Sequence, residues 1–335
     1  MKVSVFSTKP YDQQFLELIN NNYGHQLSFY SCPLTPDTIN LAGDDPCVCV
    51  FVHDKLTRDV IQALHNKGVK LIALRCAGFN NVDLKAAQEF GITVVRVPAY
   101  SPEAVAEHAV GLMLSLSRKI HRAYNRVREG NFSLNGLLGF ELHHKTVGIV
   151  GTGRIGTALA KILTGFGATV IATDIQSNDT CHQLGVEYVS FDELCQRSDA
   201  ISLHCPLTPD TYHLIDEQSI ELMKQNIMLI NTSRGAVIDT QAVIEALKNN
   251  KIGYLGLDVY EQEEHLFFED LSDKIITDDI FERLLTFPNV LITGHQAFFT
   301  EEAMTSIAHT TLKNISCFEK GESCATEISA DDAAP

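Results

Sequence analysis

The sequence predicts an α/β protein with two parallel-sheet domains. At 335 residues the chain is long for one compact core and suits two domains. Short apolar runs alternate with helix-like stretches along the chain, which is typical of parallel strands joined by crossover helices. A glycine-rich turn stands near the middle of the chain, between a β-branched run at 146–150 and an amphipathic segment, and predicts a strand, a tight turn and a helix.

The turn reads Gly-Thr-Gly-Arg-Ile-Gly from residue 151 to residue 156. Gly151 permits the tight turn, Gly153 lets the backbone approach a pyrophosphate, and Gly156 lets the helix pack closely on the strand. The phosphates are predicted to lie against the free N–H groups at the helix start, where Arg154 and Ile155 follow. Glycine turns alone are weak indicators, but here the flanking strands and helix also fall where a dinucleotide site requires them.

An acidic residue follows the second strand of this unit, which is predicted at 169–172. Asp174 comes 21 residues after Gly153, where a carboxylate accepts hydrogen bonds from the ribose hydroxyls of an adenosine. A 2′-phosphate would meet this negative charge, and residues 175–178 contain no Arg or Lys to compensate it. The sequence therefore predicts NAD rather than NADP as the cofactor.

Composition argues against several classes of function. The formal net charge of −16 disfavours binding to nucleic acid or to an anionic membrane, because both need a basic surface. The N-terminal apolar run is too short for a signal peptide, and no run reaches the length of about 18 residues that a membrane span needs. The nine cysteines include no CxxC pair, which favours a reducing cytoplasm and no zinc or other metal site.

The first part of the chain predicts a domain of its own. Residues 1–98 contain four apolar runs, at 3–6, 48–52, 71–75 and 92–97, but no phosphate-binding turn. A junction follows at 98–103, where Ser101 and Pro102 predict the start of a helix that runs to about residue 124. The polar, glycine-bearing stretch from 122 to 140 is predicted to pass over the surface or over a partner subunit.

Three side chains with complementary chemistry come after successive strands of the second sheet. Apolar runs at 200–205, 227–232, 254–259 and 290–293 extend this sheet to at least six parallel strands, and ligands bind beyond the carboxyl ends of such strands. Arg234, Glu263 and His295 follow three of these runs. Arginine suits a carboxylate, and a histidine that a glutamate orients and favours in its protonated form suits proton transfer to the oxygen of a carbonyl undergoing hydride transfer.

Each of these residues also has a simpler explanation. A histidine after a strand is more often structural, an isolated arginine is more often a surface charge, and a carboxylate near a loop is usually solvated. Their position at successive strand ends of one nucleotide-binding sheet favours a common site over these separate explanations.

Seven segments carry a resemblance to a known family: RCAGFNNVD at 75–83, VPAYSPEAVAEHA at 97–109, GTGRIG at 151–156, HCPLTP at 204–209, NTSRGAVID at 231–239, LDVYEQE at 257–263 and GHQAFFT at 294–300. Together they resemble the D-isomer-specific 2-hydroxyacid dehydrogenase family across nearly the whole chain. The bulky segment 295–299 is most similar to the fermentative, lactate-forming branch. Serine-biosynthesis members have a glycine-rich segment after the histidine, and formate dehydrogenases of this fold pair the histidine with Gln.

The resemblance implies a split, flavodoxin-like substrate domain at 1–99 plus 297–335, with a Rossmann-type NAD domain at 100–296 inserted into it. It implies that Arg234 binds and polarises a 2-oxo acid, that His295 donates the proton, and that Glu263 is its partner. Further cofactor contacts are expected after the strands, at Cys205, Pro206, Thr211, Thr232, Ser233 and Asp258.

The resemblance also implies substrate contacts in the N-terminal domain. The backbone amides of Ala77 and Gly78 are expected to bind the substrate carboxylate, and Tyr100 is expected to be an active-site aromatic. Phe298 and Phe299 are expected to wall a small pocket. The simpler alternatives are a strand-ending turn at 77–78, a packing role for Tyr100, and a core position for one of the phenylalanines.

The implied reaction is the reversible reduction of pyruvate to D-lactate by NADH, in a homodimer or homotetramer assembled through the cofactor domain. Two alternatives remain open. One is a related reductase of hydroxypyruvate, glyoxylate or a bulkier 2-oxo acid, and the other is an NAD-sensing scaffold like the corepressors of this fold. The presence of Arg234, Glu263 and His295 together speaks against the scaffold.

Overall fold

The structure, a computed structural model, describes residues 1–332. The chain forms two compact units, one made of Met1–Ser101 and the C-terminal segment from Phe299, the other of Pro102–Phe298. Each junction lies two residues beyond the boundary that the sequence predicts, at 99 and at 296. The fold is α/β, and both units contain a sheet whose strands are mainly parallel.

The first unit contains a six-stranded sheet. The strands run in the order β13-β5-β4-β3-β1-β2, with β13 antiparallel to β5 and all other pairs parallel. Its strands are β1 Lys2–Val5, β2 Gln26–Phe29, β3 Cys47–Val50, β4 Leu71–Leu74, β5 Thr93–Val95 and β13 Glu327–Ile328. Its helices are α1 Pro10–Asn20, α2 Arg58–Asn66, α3 Leu84–Glu89 and α12 Glu301–Glu319. The parallel part has the strand order of flavodoxin-like sheets.

Alternation along β3 shows why this sheet is covered on both faces. Val48 and Val50 pack into one apolar cluster, while Cys47 and Cys49 pack into another that includes residues of α12. Successive side chains of a strand point to opposite faces, so a strand that is apolar at every position needs cover on both sides. The C-terminal helix α12 therefore completes the core that the N-terminal strands begin.

The second unit contains a seven-stranded, fully parallel sheet in the order β12-β11-β10-β9-β6-β7-β8. Its strands are β6 Thr146–Val150, β7 Thr169–Thr173, β8 Glu187–Tyr188, β9 Ala200–Leu203, β10 Ile227–Asn231, β11 Ile252–Leu257 and β12 Val290–Ile292. Its helices are α4 Pro102–Ser117, α5 Ile120–Arg128, α6 Arg154–Gly165, α7 Asp179–Gln183, α8 Phe191–Arg197, α9 Glu217–Leu222, α10 Thr240–Lys248 and α11 Asp279–Leu285. This is the Rossmann order, with the direction of winding reversed between β6 and β9.

The prediction of one helix from 101 to about 124 was wrong, because two helices occupy this range. The backbone carbonyl of Ser117, the last residue of α4, accepts a hydrogen bond from the N–H of Phe140, at 3.3 Å. Lys119 then adopts a left-handed conformation with φ +54°, and its Nζ donates to the carbonyl of Gly136 at 2.9 Å. Residues 136–140 thus contact the C-terminal end of α4, and α5 does not continue the axis of α4. As a result, Ile120 is exposed.

No helix within residues 1–332 is both long enough and apolar enough to cross a membrane.

Candidate active site

The glycine turn between β6 and α6 has the geometry of a phosphate cradle. Gly151 has φ +91°, and a Cβ there would lie 2.8 Å from the backbone nitrogen of Cys205. A Cβ on Gly156 would lie 2.0 Å from the Gly151 carbonyl oxygen, so a side chain at either position would collide with backbone. At Gly153, by contrast, a Cβ would meet nothing within 4 Å. This residue faces open space at the start of α6, which has no side-chain cap and so offers free N–H groups to an anion.

Asp174 lies directly beside the cradle, at the end of β7. One carboxylate oxygen, Oδ2, accepts hydrogen bonds from the backbone N–H and the hydroxyl of Thr152. The other oxygen, Oδ1, accepts a long bond of 3.4 Å from the N–H of Gln176 and remains accessible to a ribose. Partial burial would raise the pKa of Asp174, but these hydrogen bonds lower it by more, and the net pKa lies below the usual value. Asp174 is therefore an ionised acceptor at neutral pH.

Two residues that the sequence analysis did not select support this arrangement. The hydroxyl of Tyr188 donates to Thr152 Oγ1 at 2.9 Å, and Asn178 Nδ2 donates to the Thr152 carbonyl at 3.1 Å. Thr152 is 2% exposed, so the turn is fixed from below by β8 and by the loop after β7. Neither residue belongs to a recognisable motif, because their positions depend on how the chain returns to the turn.

The segment after β9 lies against Gly151 and carries three predicted cofactor residues. Cys205 is buried, and this burial raises the pKa of its thiol to about 11, so that the thiol is neutral. The hydroxyl of Thr211 donates to the Pro206 carbonyl at 2.6 Å and accepts from the Thr208 N–H at 2.8 Å. In the structure Thr211 folds this loop, and a direct contact of its side chain with the cofactor remains a prediction.

A second turn follows β10 and carries Arg234. The side chain of the buried Asn231 accepts hydrogen bonds from the N–H and hydroxyl of Ser233 and donates to the Arg234 carbonyl at 2.9 Å. The Thr232 hydroxyl is buried and has no partner within the described chain, as expected for a group whose partner is a ligand. The half-buried Arg234 guanidinium donates to the Ser233 carbonyl at 2.7 Å, a bond that involves Nη1.

Glu263 and His295 form a hydrogen-bonded pair, as the sequence analysis expects of an oriented acid/base. His295 Nδ1 lies 2.7 Å from Glu263 Oε1, and the other carboxylate oxygen accepts a bond from the Tyr260 N–H at 2.9 Å. The two side chains are 20% and 16% exposed, so water reaches them but does not surround them. Because a carboxylate can only accept, Nδ1 carries a proton and Nε2 is left for a substrate.

The turns that carry Arg234 and Glu263 are packed together. Gly235 lies so close to the backbone of Tyr260 that a Cβ would be 2.1 Å from its carbonyl carbon. Tyr260 in turn binds Glu263, and Glu263 binds His295. Since β10, β11 and β12 are neighbours in the sheet, the three predicted catalytic residues follow three adjacent strand ends.

Asp258 lies under the loop that carries His295. It is 0% exposed, and its carboxylate accepts hydrogen bonds from the Thr293 hydroxyl, the Gln296 N–H at 2.9 Å and the Ala297 N–H at 2.8 Å. His108, on α4, lies beside this carboxylate, with Nε2 at 3.4 Å from Asp258 Oδ1 and at 3.0 Å from Thr293 Oγ1. These contacts give Asp258 a positioning role, and its predicted place beside the nicotinamide remains a prediction.

The bonds of Asp258 maintain an unfavourable backbone conformation at His295. This residue has φ +52°, a region that side chains other than glycine rarely adopt. Its N–H donates to the Asp258 carbonyl at 2.8 Å. Strain of this kind persists only where the surroundings fix it, and it is common at functional sites.

The predicted substrate residues of the first unit follow β4 and β5. Within residues 1–332, the N–H groups of Ala77 and Gly78 have no hydrogen-bond partner, which suits a backbone site for an anion. The Ala77 carbonyl accepts from Arg96 at 2.8 Å, so this loop is anchored. Tyr100 is half-buried at the end of the unit.

The two predicted pocket phenylalanines differ in burial and belong to different units. Phe298, in the second unit, is 9% exposed, and its ring centroid lies 6.5 Å from that of His295. Phe299, in the first unit, is 48% exposed and packs edge-on against Tyr11, with ring centroids 4.7 Å apart. The burial of Phe298 therefore suits a core position, and the exposure of Phe299 leaves its ring accessible to a ligand.

The second unit thus combines a glycine turn with free N–H groups, an ionised carboxylate beside it, a guanidinium and an oriented imidazole. No cluster of metal-binding side chains occurs among the described residues. This donor set fits a nicotinamide dinucleotide together with an oxo acid, and a proton can be exchanged through His295.

Comparisons with known proteins show the family of the chain. The sequence profile described as "D-isomer specific 2-hydroxyacid dehydrogenase, NAD binding domain" matches residues 110–297. A D-lactate dehydrogenase of Escherichia coli is 56% identical over 328 residues, which cover 98% of this chain and 100% of that protein. The apo-structure of the Escherichia coli D-lactate dehydrogenase superposes with a TM-score of 0.91 at 54% identity, covering 98% of this chain and 100% of that one.

A structure described as the pyruvate reductase of Chlamydomonas reinhardtii superposes with a TM-score of 0.92 at 47% identity, covering 97% of this chain and 98% of that one. The profile spans more than half of the chain and describes an NAD-binding domain, and the relatives match the chain over nearly its whole length. The chain is therefore an NAD-dependent oxidoreductase that belongs to the D-isomer-specific 2-hydroxyacid dehydrogenase family.

Proposed function

We propose that this protein reduces pyruvate to D-lactate with NADH, reversibly, as a fermentative D-lactate dehydrogenase. The observation that carries this proposal is the His295–Glu263 pair at 2.7 Å, which follows strands of the same sheet that presents the glycine cradle. The full-length similarity to a D-lactate dehydrogenase and to a pyruvate reductase supports pyruvate as the substrate.

In this proposal the division of work follows from the geometry. Bound NADH supplies the hydride. Glu263 fixes the ring of His295 through Nδ1, so that Nε2 presents a proton to the carbonyl oxygen of the substrate. Arg234 binds the 2-oxo acid and stabilises the negative charge that develops on that oxygen.

Substrate recognition is assigned to both units. We assign residues 1–99 and 297–335 to the substrate domain and residues 100–296 to the NAD domain. In the first unit, the unpaired N–H groups of Ala77 and Gly78 would bind the substrate carboxylate, and Tyr100 and Phe299 would contact its apolar side.

The test is a substrate panel with the purified protein. NADH is mixed with pyruvate, glyoxylate, hydroxypyruvate and a branched 2-oxo acid, the loss of NADH absorbance is followed, and the configuration of the product is determined with stereospecific enzymes. We expect the highest kcat/KM for pyruvate and a product that is D-lactate. A higher kcat/KM for another 2-oxo acid would identify a related reductase instead. L-lactate, or no turnover with any 2-oxo acid, would refute the dehydrogenase proposal.

We further propose that the NAD domain forms the contact between two copies of the chain. Within residues 120–138, six large apolar side chains are at least half exposed: Ile120, Tyr124, Val127, Phe132, Leu134 and Leu138. The last two are 81% and 88% exposed. Apolar patches of this kind mark protein interfaces, and homo-oligomers with closed symmetry are the commonest assemblies.

Light scattering during gel filtration tests this assembly. The wild type is expected to elute as a dimer or tetramer, and the variant with Phe132, Leu134 and Leu138 all changed to Ser as a smaller species. Elution of the wild type as a monomer would refute the assembly.

The free state of all nine cysteines favours the cytoplasm, which cell fractionation against a cytosolic marker would test.

A further inference from the structure

A second polar cavity lies at the edge of the seven-stranded sheet opposite to the glycine cradle. Its volume is about 680 Å³, within the range of small-molecule sites. Its lining includes Lys145, Asp199 and Asn226, which directly precede β6, β9 and β10, and it also includes Lys119 and Arg122 from the junction of α4 and α5. Because β6 has five residues, this cavity is about 15 Å from the cradle.

The cavity is strongly cationic in a protein that is acidic overall. Four of its lining residues are Lys or Arg, namely Lys119, Arg122, Lys145 and Lys224, and one is a carboxylate, Asp199. The whole chain has 26 Lys and Arg against 42 Asp and Glu. A local excess of positive charge against this background concentrates anions at the cavity.

The carboxylate does not neutralise this excess. Asp199 Oδ1 accepts from Lys224 Nζ at 2.9 Å, and Oδ2 accepts from the Thr146 N–H at 2.9 Å. Lys119, Arg122 and Lys145 form no ion pair with any residue of the described chain. One N–H of the Lys119 ammonium group donates to the Gly136 carbonyl, and the other two N–H groups remain available to a ligand.

His121 also lines the cavity, but it does not add to this charge. Burial lowers the pKa of its imidazole below the usual value, although the ring interacts with the backbone of Ser115. The Lys and Arg side chains named above therefore account for the positive charge of the cavity.

We propose that this cavity binds a small anion that carries at least two negative groups, phosphate or carboxylate. Arg122 provides a planar fork for one group, while Lys119 and Lys145 provide point charges for another. Asn226 and Asn289, also in the lining, supply neutral donors beside them. The site is separate from the cradle and from Arg234, and binding there does not depend on which 2-oxo acid the enzyme reduces.

Isothermal titration of the full-length protein tests the site. NADH is kept at saturation so that the cradle is filled, and pyrophosphate or citrate is titrated at low ionic strength. Because a hydrogen bond to a charged group contributes about a tenfold change in affinity, the double variant Lys119→Gln with Arg122→Gln is expected to bind at least about tenfold more weakly. The control exchanges two exposed lysines of the same unit, Lys161→Gln with Lys274→Gln, and is expected to bind like the wild type.

The outcomes separate the possibilities. Tighter binding of pyrophosphate supports a phosphorylated ligand, and tighter binding of citrate supports a polycarboxylate. No binding of either anion to the wild type, or equal affinity in the wild type and the double variant, would overturn the proposal. If the anion affinity of the control variant falls as much as that of the double variant, the effect is one of general charge, and this result would also overturn the proposal. A double variant that keeps its anion affinity but changes its sedimentation would place these cations at a subunit interface instead.

Discussion

Replacing Asp258 by Asn tests how the protein fixes its acid/base. The substitution keeps the size of the side chain but leaves it with one acceptor atom and one NH2 group. In the wild type both carboxylate oxygens accept, one from Thr293 and Gln296 and the other from Ala297. In either orientation of the amide, at least one N–H or O–H donor of this loop then faces the NH2 group.

The magnitude follows from these contacts. A lost hydrogen bond to a buried charge, with its donor left unpaired, lowers the free energy of unfolding by about 1.5 to 3 kcal/mol. The left-handed backbone of His295 is itself unfavourable by about 1 to 3 kcal/mol, so the loop can relax by a similar amount when Asp258 no longer fixes it. Since about 1.4 kcal/mol corresponds to tenfold in rate, we expect kcat to fall about 10- to 100-fold.

The assay measures kcat, the KM for NADH and the free energy of unfolding in urea. The KM for NADH is expected to change less than about threefold, because the cradle and Asp174 lie at other strand ends. The control is Asp216→Ala, which removes the N-cap of α9 in the same unit and lowers stability by about 1 kcal/mol without touching the site. A D258N variant that loses stability but keeps the wild-type kcat would refute the positioning role, as would an equal loss of kcat in the control.

Three further predictions follow from the cofactor side of the sheet. Gly153→Ala is expected to fold like the wild type, because its Cβ meets no protein atom, and to raise the KM for NADH about tenfold. The control Gly165→Ala is expected to leave this KM unchanged. An unaltered KM in Gly153→Ala would contradict the placement of the pyrophosphate. Asp174→Ala is expected to raise the KM for NADH about tenfold and to reduce the preference for NADH over NADPH, and Asp179→Ala is the control. An unchanged preference for NADH would show that this carboxylate does not select the ribose. Burial lowers the pKa of His204 from 6.5 to about 4, so its neutral form adds stability above pH 6.5 that is lost as the pH falls toward 4. Between pH 7 and pH 4.5 the free energy of unfolding of the wild type should therefore fall by about 2 to 3 kcal/mol more than that of the His204→Asn variant. An equal fall in the two proteins, measured by urea unfolding at both pH values, would contradict this expectation.

The fold was predictable where local pattern and tertiary burial agree. Strand β6 matches the predicted run at 146–150, and the strands after it differ by one or two residues at their ends. Strands β2, β8 and β13 were not predicted from the sequence. They are short and include exposed or half-exposed residues, so they lack the apolar runs of central strands.

The break between α4 and α5 was not predictable from periodicity. The apolar residues at 105, 109, 112, 113 and 116 are buried, as the pattern indicates, but the pattern continues through Ile120, which is exposed. The helix ends because Phe140, more than 20 residues later, binds the Ser117 carbonyl. A contact at this separation leaves no sign in the local sequence.

The candidate site shows the same division. Arg234, Glu263 and His295 were predictable as candidates because they follow predicted strands, and in the structure they follow the adjacent strands β10, β11 and β12. Their supports, such as Asn231, Thr293 and His108, are ordinary polar residues whose roles arise only from the packing of separate segments. For Asp258 and Thr211 the structure shows loop-forming contacts that their residue types alone do not indicate.

His295 is the residue on which the proposed reaction depends most, because it exchanges a proton with the substrate. The direct measurement is kcat for pyruvate in the His295→Gln variant, together with the Kd of NADH from its fluorescence. We expect kcat to fall by about 10² to 10⁴, the usual contribution of a general acid, while the Kd of NADH stays within about threefold of the wild type. Wild-type turnover in this variant, or a loss of activity that weaker NADH binding fully explains, would contradict it.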